Sequence, residues 1–474
     1  MSTSKYKRLL SDTVVFSISS FGSKLITFFL VPLYTSCLTN AEYGIADIIS
    51  STNGLLVPLL TLSVSEAVLR FPFDRDKKRG AILGNALLIS LLASMAVCMF
   101  SPGIMLFESD LKAYWYWLPV VFIMNTFGGV ISSYARGTKR VKTFAVKGML
   151  QTAITVGLNI AFLICFNWGI TGYMLSLVIA EAVSSLFVLI AGRMKNDIKE
   201  LTLDRATSKE MLAYSVPMIP TMLAWWLMQL SDKYVIIGFH GADAEGVYAV
   251  AYKIPTILST VSLIFTRAWQ LSAFENSNEK DYSKFVTTIY KYFWIVNAVL
   301  CAGLISVSKI LATILFQKDF FEAWRYVPLL IIAYMFSGVS GFLASVFSAA
   351  KRTKVLFHSS MVGAIVNLIL NLILIPTGGV GVAAATTCVA FLLTWGIRLF
   401  TSRKIVRIRV SWIRDIISIL LVFASALIIY LDFKFSFLIS LAIVPVLLIM
   451  YYDSLGAIVK GVISKIKRKG NGKA

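Results

Sequence analysis

Apolar residues in this chain do not alternate with polar ones; they continue for about 20 residues at a time and then give way to short polar clusters. Segments long enough to cross a ~30 Å hydrocarbon core fall at roughly 12–34, 44–66, 80–101, 115–136, 144–166, 169–191, 212–238, 246–267, 285–306, 326–349, 355–376, 380–401, 411–431 and 434–453. About fourteen helical spans are expected, with short connections, in an all-α polytopic membrane protein. An outer-membrane barrel would show alternating segments of about 10 residues, and none occur. The first apolar run, behind Lys5, Lys7 and Arg8, is too long for a cleaved signal and has no clear small-residue cleavage site. It reads as a retained span.

Composition agrees with the pattern. At 474 residues a soluble chain would hold about three domains, but this one is 58% hydrophobic and 15% charged, with mean hydropathy +0.79. The net charge of +21 would suggest nucleic acid in a soluble protein. Here about 33 of the 45 cations fall in connections on one face: the N-terminus, 70–79, 136–142, 193–209, 267–284, 351–354, 403–409 and 460–473. The opposite loops hold about five: Lys112, Lys309, Lys318, Arg325 and Lys434. Both termini are expected to be cytoplasmic, with an even number of spans and anionic lipid against the basic face. Nucleic acid is dropped as a partner. The five cysteines are scattered and form no CxxC pair, so neither a disulfide framework nor a zinc site is expected.

An internal repeat divides the chain. Lys139-Arg140-x-Lys142 returns as Lys351-Arg352-x-Lys354, Leu158-Asn159 as Leu370-Asn371, and Gly169-Ile170 as Gly381-Val382, all 212 residues apart. Asn40–Gly44 and Ala242–Gly246 occupy corresponding loops 202 residues apart. Six spans separate the copies, so the halves have the same orientation, and parallel repeats commonly hold a transporter's substrate between them. The expected lobes are residues 1–205 and 206–405, each of six helices. Residues 406–474 add two helices and a basic cytoplasmic tail.

Charges in hydrocarbon are functional candidates by default. Lys24 is central in the first span; it either faces a cavity or pairs with an acid on a neighbouring helix. Asp232 and Lys233 are adjacent, about 100° apart on a helix. Either Lys233 faces a lumen while Asp232 pairs elsewhere, or both belong to structural ion pairs. Lys253, Thr256 and Thr260 share one helix face, and an opposing span carries Asp47, Ser50, Ser51, Asn53 and Gly54; both stripes are expected to line a lumen. Glu181, mid-span, either carries a coupling proton or neutralises a lysine. Asp47 and Asp232 share that ambiguity between coupling and ion pairing. Lys147 and Arg398 are expected to snorkel to the interface, and Glu66 and Arg70 to form a local pair. Pro58, Pro217, Pro220 and Pro255 permit bending of the central helices. The only histidines, His240 and His358, fall on opposite faces, no carboxylate cluster suggests a metal, and no ATPase phosphate loop is present. No cofactor is expected.

The stretch SDKYVIIGFHGADAEGVYAVAYKI (231–254), with YSVPMIPTMLAWW (Tyr214–Trp226) before it and RAWQLSAF (Arg267–Phe274) after it, resembles the second-half signature of bacterial polysaccharide repeat-unit flippases. LTNAEYGIAD (Leu38–Asp47) resembles the corresponding first-half motif. That family belongs to the multidrug/oligosaccharidyl-lipid/polysaccharide exporter superfamily, and the similarity spans essentially the whole chain. It implies outward movement of an undecaprenyl-pyrophosphate-linked oligosaccharide for capsule, exopolysaccharide or O-antigen assembly, with a polysaccharide polymerase and chain-length regulator as candidate partners. It also implies a cationic cavity, which Lys24, Lys233 and Lys253 would form here. Lysines would meet the pyrophosphate, and Ser, Thr and Asn the sugar hydroxyls. Moving two negative charges outward against an interior-negative potential gains about 5 kcal/mol per 100 mV. Two rivals remain at this stage. A multidrug antiporter would line its cavity with unpaired acids. A membrane polymerase or ligase would need acid/base or anion-binding residues in an outward loop, and the longest such loop, 307–325, has only some 20 residues.

Overall fold

Hydrocarbon offers no water to the backbone, so each N–H and C=O must be bonded within its own segment. The computed structural model describes residues 22, 26–73, 77–106, 110–275, 281–350 and 352–453. Lys24, the N-terminal cations Lys5, Lys7 and Arg8, Lys351 and the basic tail 460–473 lie outside them. The described residues are overwhelmingly helical and contain no strand. The helices are α1 (Val31–Cys37), α2 (Asn40–Leu60), α3 (Val64–Arg70), α4 (Arg79–Phe100), α5 (Trp117–Gly137), α6 (Val141–Asn159), α7 (Gly169–Ala191), α8 (Lys195–Lys199), α9 (Arg205–Ser215), α10 (Ile219–Ala251), α11 (Pro255–Glu275), α12 (Tyr282–Leu315), α13 (Val327–Ala349), α14 (Thr353–Gly378), α15 (Gly381–Ser402), α16 (Trp412–Tyr430) and α17 (Ser436–Met450). The all-α polytopic fold expected from the apolar runs is the fold observed.

Ten helices among the described residues are long and apolar enough to cross a membrane, or eleven if a bent pair covering 205–224 and 226–251 counts as one span. The sequence reading of about fourteen is therefore not reproduced in number. Ile26–Cys37 and α17 are shorter apolar helices. The expected span 246–267 is interrupted by a turn at Tyr252–Ile254, and the helix beyond it, α11, carries Thr256, Ser259, Thr260, Ser262, Thr266 and Arg267. Pro255 stands at that helix start, where its missing N–H costs nothing. The loop expected at Phe239–Glu245 is also corrected. The chain stays helical on both sides and breaks at one residue, Gly241, with φ 83° and ψ 177°. Only glycine adopts that conformation without strain.

The repeat is visible in hydrogen bonds. Arg140 N–H donates to the Ala135 carbonyl at 2.7 Å, and Arg352 N–H to Phe347 at 2.9 Å. Thr138 N–H donates to Tyr134 at 2.9 Å, and Ala350 N–H to Val346 at 3.1 Å. Both pairs keep the 212-residue offset, so α5 and α13 end in the same way. Asn159 and Asn371 are each buried and each accept a hydroxyl, from Ser176 and Thr386 respectively. Each stitches the helix it stands on to the next.

The chain divides into two compact units. The first comprises residues 1–250 with Leu315–Phe320. In it the two copies of the outer repeat motif meet through their glycines. A Cβ on Gly44 would lie 2.3 Å from the Ala242 carbonyl oxygen, and one on Gly246 would lie 1.9 Å from the Asn40 carbonyl oxygen. Small residues let membrane helices approach this closely. The start of α2 is fixed by a capping box: Glu42 N–H donates to Thr39 Oγ1 at 3.2 Å, and Thr39 N–H to Glu42 Oε2 at 2.9 Å. The free oxygen of Glu42 accepts Ile170 N–H at 3.2 Å, which ties the start of α7 to the same cap. Behind the crossing, Ile45, Ile49, Trp117, Val121 and Met174 form a buried core. At α9, Asp204 accepts Thr207 N–H at 2.9 Å and its hydroxyl, and these bonds hold the carboxyl below the usual range.

The second unit comprises 251–314 and 321–474. Its centre is a stack of aromatic rings, with Trp269 on Phe342 at 4.6 Å and Trp294 on Trp395 at 5.3 Å between centroids. The indole N–H groups of Trp294 and Trp395 donate to Ser418 and Tyr290 hydroxyls, each at 3.1 Å. Such partners make buried tryptophan tolerable.

Gly246→Ala should destabilise the protein by ~1–3 kcal/mol, the usual cost of overpacking. Gly54→Ala, where an added Cβ meets nothing within 4 Å, should be neutral. Thermal unfolding of the purified protein in detergent reads both.

Candidate functional site

An ammonium buried away from water needs a counter-charge or a full set of acceptors. Lys233, on α10, is 6% exposed, and its Nζ donates to Asp47 Oδ2 on α2. Asp47 stands two turns beyond the Thr39 cap and keeps 18% of its side chain exposed. The cluster therefore reaches open space through the acid. Asp232 points the other way: its Oδ2 accepts the Tyr248 hydroxyl at 2.7 Å and its Oδ1 the Lys233 N–H at 3.0 Å. Two further bonds join α2 to α10. Trp226 Nε1 donates to the Ser51 carbonyl at 3.0 Å, and Thr52 and Tyr234 hydroxyls meet at 2.9 Å.

The structure also sorts the polar stripe of α2. Ser50 and Gly54 are exposed and Asp47 partly so, one helical face at i, i+3, i+7. Ser51 and Asn53 are turned inward. Asn53 is fully buried and donates to the carbonyls of Ile49 at 3.0 Å and Leu118 at 3.5 Å. It faces α5 rather than open space. Lys253 lies in the turn before α11, partly exposed, in the second unit. Thr256 donates its hydroxyl back to the Lys253 carbonyl, and Thr260 to that of Thr256 at 2.7 Å. Such bonds to the preceding turn satisfy a hydroxyl in an apolar helix. Lys24 falls outside the described residues.

Two expectations of snorkelling are overturned. Lys147 is 5% exposed; its Nζ meets Glu181 Oε1 at 2.6 Å and Ser132 Oγ at 2.8 Å. Gln151 Nε2 donates to the other oxygen of Glu181 at 2.7 Å, and Ser185 hydroxyl to Oε1 at 3.1 Å. Gly128 leaves the space this carboxylate fills, since a Cβ there would be 1.8 Å from Oε1. Glu181 thus neutralises a lysine, one of the two roles open to it. Arg398 is 8% exposed and is held by Ser359, Ser360 and Ser340 hydroxyls and the Ser340 carbonyl, at 2.8 to 3.0 Å. Both side chains fold toward partners within their own units because the partners stand nearer than any interface.

One acid went unnoticed in sequence. Glu245, on α10 just past Gly241, has no exposure at all, and its carboxyl oxygens meet no hydrogen-bond donor. It looked like a loop residue. The signal for it was the 202-residue offset, which sets it opposite Tyr43 of the first copy, in a motif already known to be buried there.

The polysaccharide biosynthesis protein family matches residues 9–270, more than half of the chain. This chain belongs to that family. A second family, MatE, matches residues 217–373 of the polysaccharide biosynthesis protein. Among solved structures, the lipid II flippase MurJ in an inward closed conformation superposes with TM-score 0.72 at 16% identity, covering 95% of this chain and 100% of that one. An inward-facing multidrug resistance MATE transporter of the MOP superfamily gives 0.63 at 14%, covering 83% and 94%. A MOP superfamily transporter from Pyrococcus furiosus, whose pocket of reversed polarity suggests a different function, gives 0.58 at 14%, covering 82% and 94%. No curated protein matches. The fold is that of these transporters, and the polysaccharide biosynthesis protein is a MOP superfamily transporter or flippase, not an enzyme.

Glu181→Ala strands Lys147 in the first unit and should cost ~3–5 kcal/mol, whereas Lys147→Met with Glu181→Leu should recover most of that loss. A double-mutant cycle on unfolding in detergent checks the difference.

Proposed function

We propose that this protein moves undecaprenyl-pyrophosphate-linked oligosaccharide repeat units from the inner to the outer leaflet of the bacterial cytoplasmic membrane. The product would feed capsule, exopolysaccharide or O-antigen assembly, with a polymerase and chain-length regulator as partners. The match to the polysaccharide biosynthesis family over residues 9–270 carries this reading. The likeness to a lipid II flippase over 95% of the chain, against 83% for a multidrug transporter, supports it. The polyprenyl tail stays in lipid while the head group crosses between two six-helix lobes, residues 1–205 and 206–405, with both termini cytoplasmic. Lys24, Lys233 and Lys253 meet the pyrophosphate in turn, and Thr256 and Thr260 offer hydroxyl-lined surface to the sugars. In the resting state Lys233 is occupied by Asp47, so the substrate phosphate must displace that carboxylate. Such an exchange of one anion for another keeps a buried cation paired throughout.

One observation favours the multidrug antiporter: around Lys233 stand three acids, Asp47, Asp232 and Glu245, against one cation. Vesicles discriminate. In proteoliposomes holding a fluorescent undecaprenyl-pyrophosphate oligosaccharide, the wild type should expose the label to an external quencher. Lys24→Met/Lys233→Met/Lys253→Met should slow exposure at least ~10-fold, about 1.4 kcal/mol. Export of cationic dyes without lipid-linked sugar movement would establish the antiporter instead.

A further inference from the structure

Glu245 has no role in the charge pairing described so far, and its surroundings demand one. Its carboxyl is fully buried, and neither oxygen meets a donor. The neighbouring donors are engaged elsewhere: Lys233 Nζ on Asp47, Tyr248 hydroxyl on Asp232, Tyr234 hydroxyl with Thr52. What stands within hydrogen-bonding reach of Glu245 is the Asp47 carboxyl. The charged groups around it are Asp47 from α2 and Asp232 and Lys233 from α10, and the phenols of Tyr43 and Tyr234 border the same cluster. Gly44 opens the space, since a Cβ there would lie 3.0 Å from Glu245 Oε2.

Two carboxyl groups facing each other at this range cannot both be ionised in a low-dielectric site; one proton bridges them. Charge balance leads to the same place. Three carboxylates around one ammonium would leave a net charge of minus two in hydrocarbon. No set of three or more His, Cys, Asp or Glu side chains among the described residues is arranged to hold a metal ion. The missing positive charge is a proton.

We infer that Glu245 and Asp47 form a carboxyl–carboxylate pair holding one exchangeable proton, a proton-binding site at the contact between α2 and the end of α10. With the proton on Glu245, its O–H donates to Asp47, which stays ionised and bound to Lys233. Loss of that proton to water through the partly exposed face of Asp47 leaves two anions competing for Lys233. The lysine can then turn from Asp47, loosening α2 from α10. The site stands on geometry alone; its use in driving transport rests on the flippase reading above.

Infrared spectroscopy of the full-length protein in nanodiscs tests the site without any substrate. At neutral pH the wild type should show a protonated-carboxyl C=O band that shifts down in heavy water. Glu245→Gln should remove one carboxyl from that band, and Glu245→Asp should shift it. A spectrum unchanged by both substitutions overturns the assignment. If Glu245→Gln does not fold, the Asp variant alone decides. For coupling, flipping of lipid-linked oligosaccharide in proteoliposomes should respond severalfold to an imposed pH gradient in the wild type and not in Glu245→Gln. Wild-type flipping indifferent to the gradient overturns coupling while leaving the site. Absence of any flipping overturns the flippase reading, and the infrared result stands by itself.

Discussion

A lysine in hydrocarbon must be partnered, and the contact of Lys233 with Asp47 is where this requirement shapes the first unit. The pair joins α2 to α10, and the bonds around it, Trp226 to Ser51 and Tyr234 to Thr52, hold the same two helices in register. The glycine crossing at Gly44 and Gly246 brings the backbones near enough for those side chains to meet. Remove the closeness and the ammonium loses its counter-ion; remove the counter-ion and the closeness buries a bare charge. The arrangement is self-reinforcing.

The same rule recurs with different chemistry. Lys147 takes a carboxylate and a hydroxyl, while Arg398 takes three serines and a carbonyl. A guanidinium spreads its charge over five donors, so several neutral acceptors can satisfy it. An ammonium concentrates its charge and needs an acid. Of these sites, the one at Lys233 alone combines a surplus of acids with an opening at Asp47. A static brace requires neither.

Much of the fold was legible in the sequence because hydrophobicity over 20 residues is a coarse signal that survives any detail of packing. The repeat was legible too, down to hydrogen bonds that keep the 212-residue offset at Arg140 and Arg352. What could not be read was which charged side chain finds which partner. Lys147 and Glu181 are 34 residues apart and meet only because α6 and α7 pack together. Asp47 and Lys233 are separated by 186 residues. Glu245 was hidden for another reason: a glycine that breaks a helix at one residue reads, in one dimension, like a loop of seven. The span count suffered likewise, since the turn at Tyr252–Ile254 and the hydroxyl-rich α11 blur a boundary that hydropathy treats as continuous.

The central claim is that the polarity of the pair between α2 and α10 is used, not merely its attraction. Exchanging the charges, Asp47→Lys with Lys233→Asp, separates the two. Both stability and transport should be measured on this variant beside the single substitutions. A pair that is used should regain its unfolding temperature on exchange while lipid-linked oligosaccharide movement in vesicles stays lost. Recovery of transport together with stability would show that the two residues only brace the fold, and would contradict the account.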